Sequence, residues 1–555
     1  MPANSRNSPV PDSIPPADIT APPASKVTGI REKVEERKRL EAAALGETAK
    51  PAESIITAKL VKDCLIANEM GDGMLYAALH RGHFVFNKTS LQWLAWAGHH
   101  WQMDEMDASF AAVEDVAVAY LDAGYELKEK IDAALSADKK DEADQLKTQQ
   151  KTYFARVKKL RSVSGVSNCL TYSHKIKEPL AVKEAFIDKN PWLLAFSNGV
   201  VDLRSGKFRP GAPEDYLLKA VPHEWKGIDA PSPLFDAFLE SALDGAPNLT
   251  EEERRAYREA LIGFVLRALG YGITGLNIEH MFLVFNGAGR NGKGVLVELL
   301  RYVLGALAGP IAAEMLLDQG RARSSNGPSP DIMSLKGMRI AFASETDEGR
   351  RFAPGQIKWY TGGDTLQGRY PHDKRPTDFE PTHLLILLTN NLPHAPGDDF
   401  AFWNRLNLIP FLYSFVADPD PAKPEQKQRD GKLLERLKGE APGILARLVR
   451  GCLEWQQQGL NPPECVTMAT EEYRANEDTI TQFVEECCIC SGMSEVKAGD
   501  IYRAFATWYE SQIGDRVPKQ KKFGSMLVKQ FQKEKVGGVI KYYGLELKGD
   551  HQPEL

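Results

Sequence analysis

The sequence predicts an α/β protein, with a mixed α+β region ahead of its central sheet and a small helix–helix–hairpin module after it. Three observations predict this. Between residues 250 and 415, short and nearly continuous apolar runs alternate with helical segments, as strands buried on both faces of a parallel sheet require. One of these runs opens into a glycine-rich loop and then at once into a helical stretch. Residues 497–550 read as helix, helix and a β-hairpin after Gly537-Gly538, an order that suits a winged-helix module.

Composition narrows the class further. With 555 residues, 43% of them hydrophobic and 26% charged, the chain is too long for one core and divides into two to four folded units. Collagen, a disulfide scaffold and a wholly disordered chain are excluded. No run of about 18 apolar residues occurs, so no membrane span is expected. Seven thinly spread cysteines fit a reducing cytoplasm, the expected location. A net charge of −6 excludes a uniformly basic coat, so any nucleic-acid contact must come from local patches.

Taken in order, residues 1–54 form a Pro-rich tail, too poor in apolar surface to fold, and a charged linker helix over 29–46. Residues 55–250 form an α+β domain. Trp93, Trp96 and Trp101 surround an apparent hairpin, residues 110–160 read as a helical hairpin, and LLAFSNGVVDLRSGKFRP reads as a small β-meander with turns at Asn198-Gly199 and Ser205-Gly206. Residues 251–420 hold the α/β core, with strands expected at 281–285, 339–344, 384–389 and 406–413. Residues 421–490 read as helical and 491–555 as the winged helix. No internal repeat is present.

The glycine-rich loop is Gly287, Ala288, Gly289, Arg290, Asn291, Gly292, Lys293 and Gly294. It fits G-x-x-x-x-G-K between a strand and a helix, the context in which backbone N–H groups and a helix N-terminus cradle a polyphosphate. Lys293 supplies a point charge to the β and γ phosphates. Gly294 stands where Ser or Thr would place a hydroxyl on Mg²⁺, so water or another side chain must fill that ligand position.

Nucleotide hydrolysis also needs an acid near the metal. The run RIAFAS ends at Glu345, followed by Asp347 and Glu348, and a carboxylate at the end of a buried parallel strand faces the ligand crevice. Glu345 is assigned to Mg²⁺, directly or through water, and to water polarisation. The run LLILLT ends at Asn390, whose neutral amide suits the γ-phosphate or the attacking water. Arg405 precedes the last run and can serve as an arginine finger. Between them, Lys358, Gly362-Gly363, Arg369, His372, Lys374 and Arg375 read as a hairpin with a basic tip suited to tracking a phosphate backbone. Residues 516–550 hold nine basic against three acidic residues, a local +6. Lys521, Lys522 and Lys529 are the DNA-contact candidates there. Cys487, Cys488 and Cys490 are too close together for a four-ligand zinc site without distant partners.

Together, GAGRNGKG (287–294), GMRIAFASE (337–345), IKWYTGGDTLQGR (357–369), LLTNNLP (387–393) and FWNRLNLIPF (402–411) resemble the superfamily 3 helicases of phages, plasmids and poxviruses, in that family's order and spacing. The likeness extends over roughly residues 85–550. It implies an AAA+-like P-loop NTPase core, with Lys293 as Walker A lysine, Glu345 as Walker B acid, Asn390 as sensor amide and Arg405 as a finger acting in trans. Lys358, Arg369 and Lys374 then fall in the DNA-contacting hairpin segment. ATP and Mg²⁺ are the implied cofactors. Single-stranded and forked DNA, a homo-oligomeric ring of hexameric type, and a separate primase or polymerase are the implied partners. The implied activity is ATP-dependent, 3′-to-5′ unwinding in phage or mobile-element replication. Full-length relatives often carry a primase domain before the motor. Only about 55 linker-like residues precede the globular start here, so no primase activity is expected on this chain. The rival expectation is an ATP-switched replication initiator that binds an origin without unwinding it, and a weaker one is a regulatory ATPase that has lost strand separation.

Overall fold

The computed structural model describes residues 56–320, 327–345, 349–371, 376–397, 399–513, 517–528 and 530–549. The expected tail and linker helix, along with Asp347, Glu348, His372, Lys374, Arg375 and Lys529, lie outside the described residues, as does the Glu345 side chain. Everything described belongs to one compact unit, Lys50–Leu555. Among the described residues no helix is long and apolar enough to cross a membrane.

The chain enters through α1 (Ala58–Ile66) and α2 (Asn68–His80), then a hairpin sheet of β1 (Phe84–Asn87), β2 (Gln92–Trp96) and β3 (Trp101–Met103). Trp96 pairs directly with Trp101 across β2 and β3, so the tryptophan-rich run is a hairpin, as its sequence predicts. Next come two long helices, α3 (Val113–Ser136) and α4 (Lys140–Leu160), and then α5 (Val163–Ser173). The helices α1, α2, α3, α4 and α5 share a core that contains Tyr76, Val116, Tyr120 and Val157.

After the short β4 (Ala181–Val182) follows the meander of β5 (Leu193–Phe196), β6 (Gly199–Asp202) and β7 (Lys207–Arg209), with β8 (Ala220–Val221) added parallel to β5. Then α6 (Pro233–Ala242) and α7 (Glu251–Gly272) lead to the main sheet. A reciprocal cap starts α7: Thr250 Oγ1 accepts from Glu253 N while Glu253 accepts from Thr250 N at 2.8 Å.

The main sheet holds β9 (Phe282–Asn286), β10 (Ala308–Pro310), β11 (Ile340–Glu345), β14 (Leu384–Thr389) and β15 (Leu406–Pro410) in the order β10-β11-β14-β9-β15, every pair parallel. The four strands expected from apolar runs are present. The fifth, β10, is only Ala-Gly-Pro and carries no apolar signal. All six residues of β14 are buried, which explains the absence of polar alternation in that run. Helix α8 (Lys293–Leu304) follows β9.

Between β11 and β14 lie α9 (Pro354–Tyr360) and an antiparallel pair, β12 (Leu366–Gly368) and β13 (Thr377–Phe379). The four-residue helix α10 (Phe400–Trp403) precedes β15, and a parallel pair, β16 (Ser414–Val416) and β17 (Gln426–Gln428), follows it. The region read as mainly helical therefore has a strand, β17, at its start. Its two longest helices among the described residues are α11 (Ala441–Gln458) and α12 (Glu464–Asn476).

The C-terminal module runs α13 (Thr479–Cys487), β18 (Cys488–Lys497), α14 (Ala498–Gln512), α15 (Gln520–Leu527), β19 (Gln532–Val536) and β20 (Val539–Leu547), with sheet order β18-β20-β19. Its core begins upstream of residue 491, because Phe483 on α13 packs against Phe505, Trp508 and Phe523.

Candidate functional site

Parallel pairing aligns the C-terminal ends of three adjacent strands. Asn286 ends β9, Thr389 pairs with it at the end of β14, and Glu345 pairs with Thr389 at the end of β11. Strands spaced about 4.8 Å apart place these three backbone positions within roughly 10 Å. The chain leaves β9 for one side of the sheet and returns as β15 on the other. The crevice beyond the end of β9 is therefore the switch point where ligands bind in open α/β sheets.

The glycine-rich loop fills that crevice edge. A Cβ on Gly287 would stand 2.2 Å from the Phe411 carbonyl oxygen, so only glycine lets the loop pass beneath the segment after β15. That segment is a strap: Phe411 N donates to Asn286 O and Phe415 N donates to Arg290 O, each at 2.7 Å. Gly292 caps α8 with φ +91, a left-handed backbone that favours glycine. Helix α8 thus begins at Lys293 with its unpaired N–H groups and positive dipole end at the loop.

Lys293 is buried, only 6% exposed. Its Nζ donates to Gly287 O at 2.6 Å and to Asn390 Oδ1 at 3.2 Å. The structure therefore brings together three sequence-predicted elements: the loop, its lysine and the amide after β14. Among the described residues no acid pairs with Lys293, and burial pushes its ammonium down to about 8. Asn291, 3% exposed, has an Nδ2 with no hydrogen-bond partner among the described residues. A desolvated cation and an unpaired buried donor, side by side at a helix N-terminus, fit a polyphosphate. At Gly294 a Cβ would meet nothing within 4 Å, so the missing hydroxyl is not a matter of space. For Mg²⁺, Gly294 offers no side-chain oxygen at that position.

Other assignments land elsewhere. Arg405 lies at the opposite end of the sheet: its carbonyl accepts from Phe282 N, the first residue of β9. Five strand residues separate it from its own loop, about 16 Å. It cannot serve the loop of its own chain, and its Nη1 donates instead to Ala401 O at 2.6 Å. Lys358, grouped with the basic hairpin from sequence, sits on α9 ahead of the hairpin, and its Nζ lies 2.8 Å from Asp399 Oδ2. This corrects its placement: Pro354 at the first turn starts a helix there. Arg369 follows β12, with its backbone fixed by Ser329 N→Arg369 O at 2.8 Å. Lys521 and Lys522 are exposed on the first turn of α15, and every residue of β19 is exposed, Lys533 and Lys535 included.

Behind the loop stands a cluster that sequence reading missed. Asp244 is buried among Arg254, Arg258 (Nη1 at 2.9 Å) and Lys427 (Nζ at 2.9 Å). Burial works to raise the Asp244 carboxyl, but hydrogen bonds from Lys427, Arg254 and Arg258 outweigh it and hold it at about 2. Tyr413 in the strap donates to Gly245 O at 2.7 Å and lies under the Lys427 ammonium, 3.7 Å from the ring centroid. Helix α6 closes the same side, with Phe238 and Ala242 nearest to Gly292. No local motif marks this cluster, because Asp244 and Lys427 are 183 residues apart. Among the described residues no group of three or more His, Cys, Asp or Glu could hold a metal ion.

Comparisons with known proteins add to this picture. Residues 73–244, the region ahead of the main sheet, match the family described as "D5 N terminal like". The chain is 31% identical over 350 residues to "Putative helicase L207/L206" of Acanthamoeba polyphaga mimivirus, covering 60% of this chain and 35% of that protein. It is 23% identical over 342 residues to "Putative primase C962R" of African swine fever virus (strain Badajoz 1971 Vero-adapted), covering 59% and 34%. The chain thus spans about a third of the length of these relatives. A solved structure of the NrS-1 C-terminal region overlaps it with a TM-score of 0.33 and 14% identity, over 57% of this chain and 76% of that one. The chain carries a D5 N-terminal-like region and is related to proteins of large DNA viruses that bear helicase and primase names.

Proposed function

We propose that this chain is an ATP-dependent DNA helicase of the superfamily 3 type, serving replication of a phage or mobile element. The reading joins a P-loop NTPase core of AAA+ character to a C-terminal winged helix. The observation that carries it is the Lys293–Asn390 contact at a sheet edge where the glycine-rich loop and Glu345 also end. Those are the parts needed to hold a triphosphate and direct water at it.

The loop N–H groups and Asn291 bind the phosphates, and Lys293 exchanges its present oxygen partners for phosphate oxygens. Mg²⁺, when bound, supplies charge neutralisation at the β and γ phosphates. Glu345 orients the attacking water, and Asn390, released from Lys293, hydrogen-bonds the γ-phosphate. Arg405 lies too far from its own loop to take part in cis, so the reading requires a neighbouring copy to present it, which a closed ring provides. Arg369 and the adjoining hairpin, with α15 and the β19–β20 wing, supply cations for the DNA backbone. A separate primase or polymerase is the expected partner.

Strand displacement tests this reading. A fork with a free single-stranded tail should be unwound with ATP and Mg²⁺ and not with a non-hydrolysable analogue. Stable binding of duplex without displacement would instead favour the initiator reading.

A further inference from the structure

We propose that Lys358 is a positioning residue whose ion pair with Asp399 links the DNA-facing hairpin to the arginine finger. The inference rests on the trans-acting role of Arg405 given above and adds the element that sets its position.

Asp399 has two oxygens and two tasks. Oδ1 accepts from Phe402 N at 3.1 Å and so caps α10. Oδ2 takes the Lys358 ammonium at 2.8 Å. Helix α10 is only four residues long, and Arg405 follows two residues after its end. So short a helix has little rigidity of its own. Its buried side is held by Phe402, packed against Phe282 and Phe352 at ring-centroid distances of 5.7 and 5.2 Å. Its N-terminus is held from outside by Lys358.

Lys358 belongs to α9, whose Ile357 and Tyr360 are buried in the core of the main sheet. Helix α9 runs into Gly362-Gly363 and then β12, which leads to Arg369. The last turn of α9 therefore touches the finger helix through Lys358 and continues directly into the basic hairpin. A load on the hairpin from DNA reaches α10 through this ion pair. The side chains are 35% and 21% exposed, and an ion pair so open to water adds little to fold stability. Its loss acts on geometry and leaves the fold in place.

The test is a double-mutant cycle on the full chain. Asp399→Asn keeps the cap on Phe402 N and removes the charge, Lys358→Met removes the other charge, and Lys358→Arg keeps it. Both charge-removing variants should lower kcat for hydrolysis stimulated by single-stranded DNA about tenfold. KM for ATP and affinity for oligo-dT should stay unchanged. The double variant should lose no more than either single one, and Lys358→Arg should stay near wild type.

Subunit mixing adds a readout that a folding defect would not move. A Lys293→Ala subunit has a dead site and a sound finger, so adding it to Lys358→Met should restore hydrolysis. Weaker oligo-dT binding by Lys358→Met, additive losses, or no recovery on mixing while Arg405→Ala recovers with the same partner would each overturn the inference. Failure of Arg405→Ala itself to recover would instead overturn the trans-finger reading.

Discussion

The loop edge and the C-terminal module are both rich in lysine, yet they hold it in opposite ways. Lys293 is almost fully buried, its charge lowered by desolvation and its donors tied to Gly287 O and Asn390 Oδ1. Lys521 and Lys522 stand in solvent on α15, and the β19 wing is exposed along its length. A buried cation costs stability and persists where a ligand's charge offsets it. Solvated cations cost little and act as a sum. The comparison teaches that single substitutions at the sheet edge should abolish a step, whereas those on the module should only tilt a binding curve.

The largest effect should come from Arg405. Removing an arginine finger costs about 10³–10⁵ in kcat, so Arg405→Ala should lose at least about a thousandfold in DNA-stimulated hydrolysis while still binding ATP. A variant that hydrolyses ATP normally would place the finger elsewhere. Next, Asp244→Ala leaves Arg254, Arg258 and Lys427 without their shared carboxylate and should cost about 3–5 kcal/mol in a denaturant melt. The same carboxyl is held near 2 against an ordinary value of 3.8. A depressed carboxyl contributes stability above its unfolded value, so that share should fade as pH falls from about 4 to about 2.

A smaller effect concerns proton uptake. Lys293 sits near 8 against an ordinary 10.5, and phosphates restore the charged form. ATP affinity should therefore weaken as pH rises through about 8, up to roughly tenfold per unit. Calorimetry in buffers of different ionisation enthalpy should show proton uptake at pH 8.5. Lys293→Arg should lose both the pH dependence and the uptake. The smallest effect belongs to the module: Lys521→Ala with Lys522→Ala should reduce the slope of log affinity for DNA against log salt by about 0.7–0.9 per contact, with basal hydrolysis unchanged. An abolished slope would show that these two side chains dominate, which the graded picture does not allow.

Much of this was legible because the signals are local. Strands buried on both faces leave continuous apolar runs, so β9, β11, β14 and β15 were visible. The loop is contiguous, so its glycines and Lys293 were visible with it. Strand β10 was not, since Ala-Gly-Pro pairs through backbone alone. Lys358 was misplaced because Gly362-Gly363 and the nearby basic residues drew the hairpin too early. Pro354 at the first turn of α9 was the available signal for a helix. The partners Asp399 of Lys358 and Lys427 of Asp244 lie 41 and 183 residues away, and no periodicity connects such distances. Whether Asn390 would touch Lys293 also depended on register, which only the paired strands β9 and β14 fix.

The most direct test of the central claim is steady-state ATP hydrolysis by the full chain and by Lys293→Ala, with Mg²⁺ and saturating single-stranded DNA. Hydrolysis by the wild type, falling to background in the variant while its thermal melt stays intact, is the predicted result. Equal turnover by the two would contradict the assignment of the crevice beyond β9 as the site of ATP cleavage.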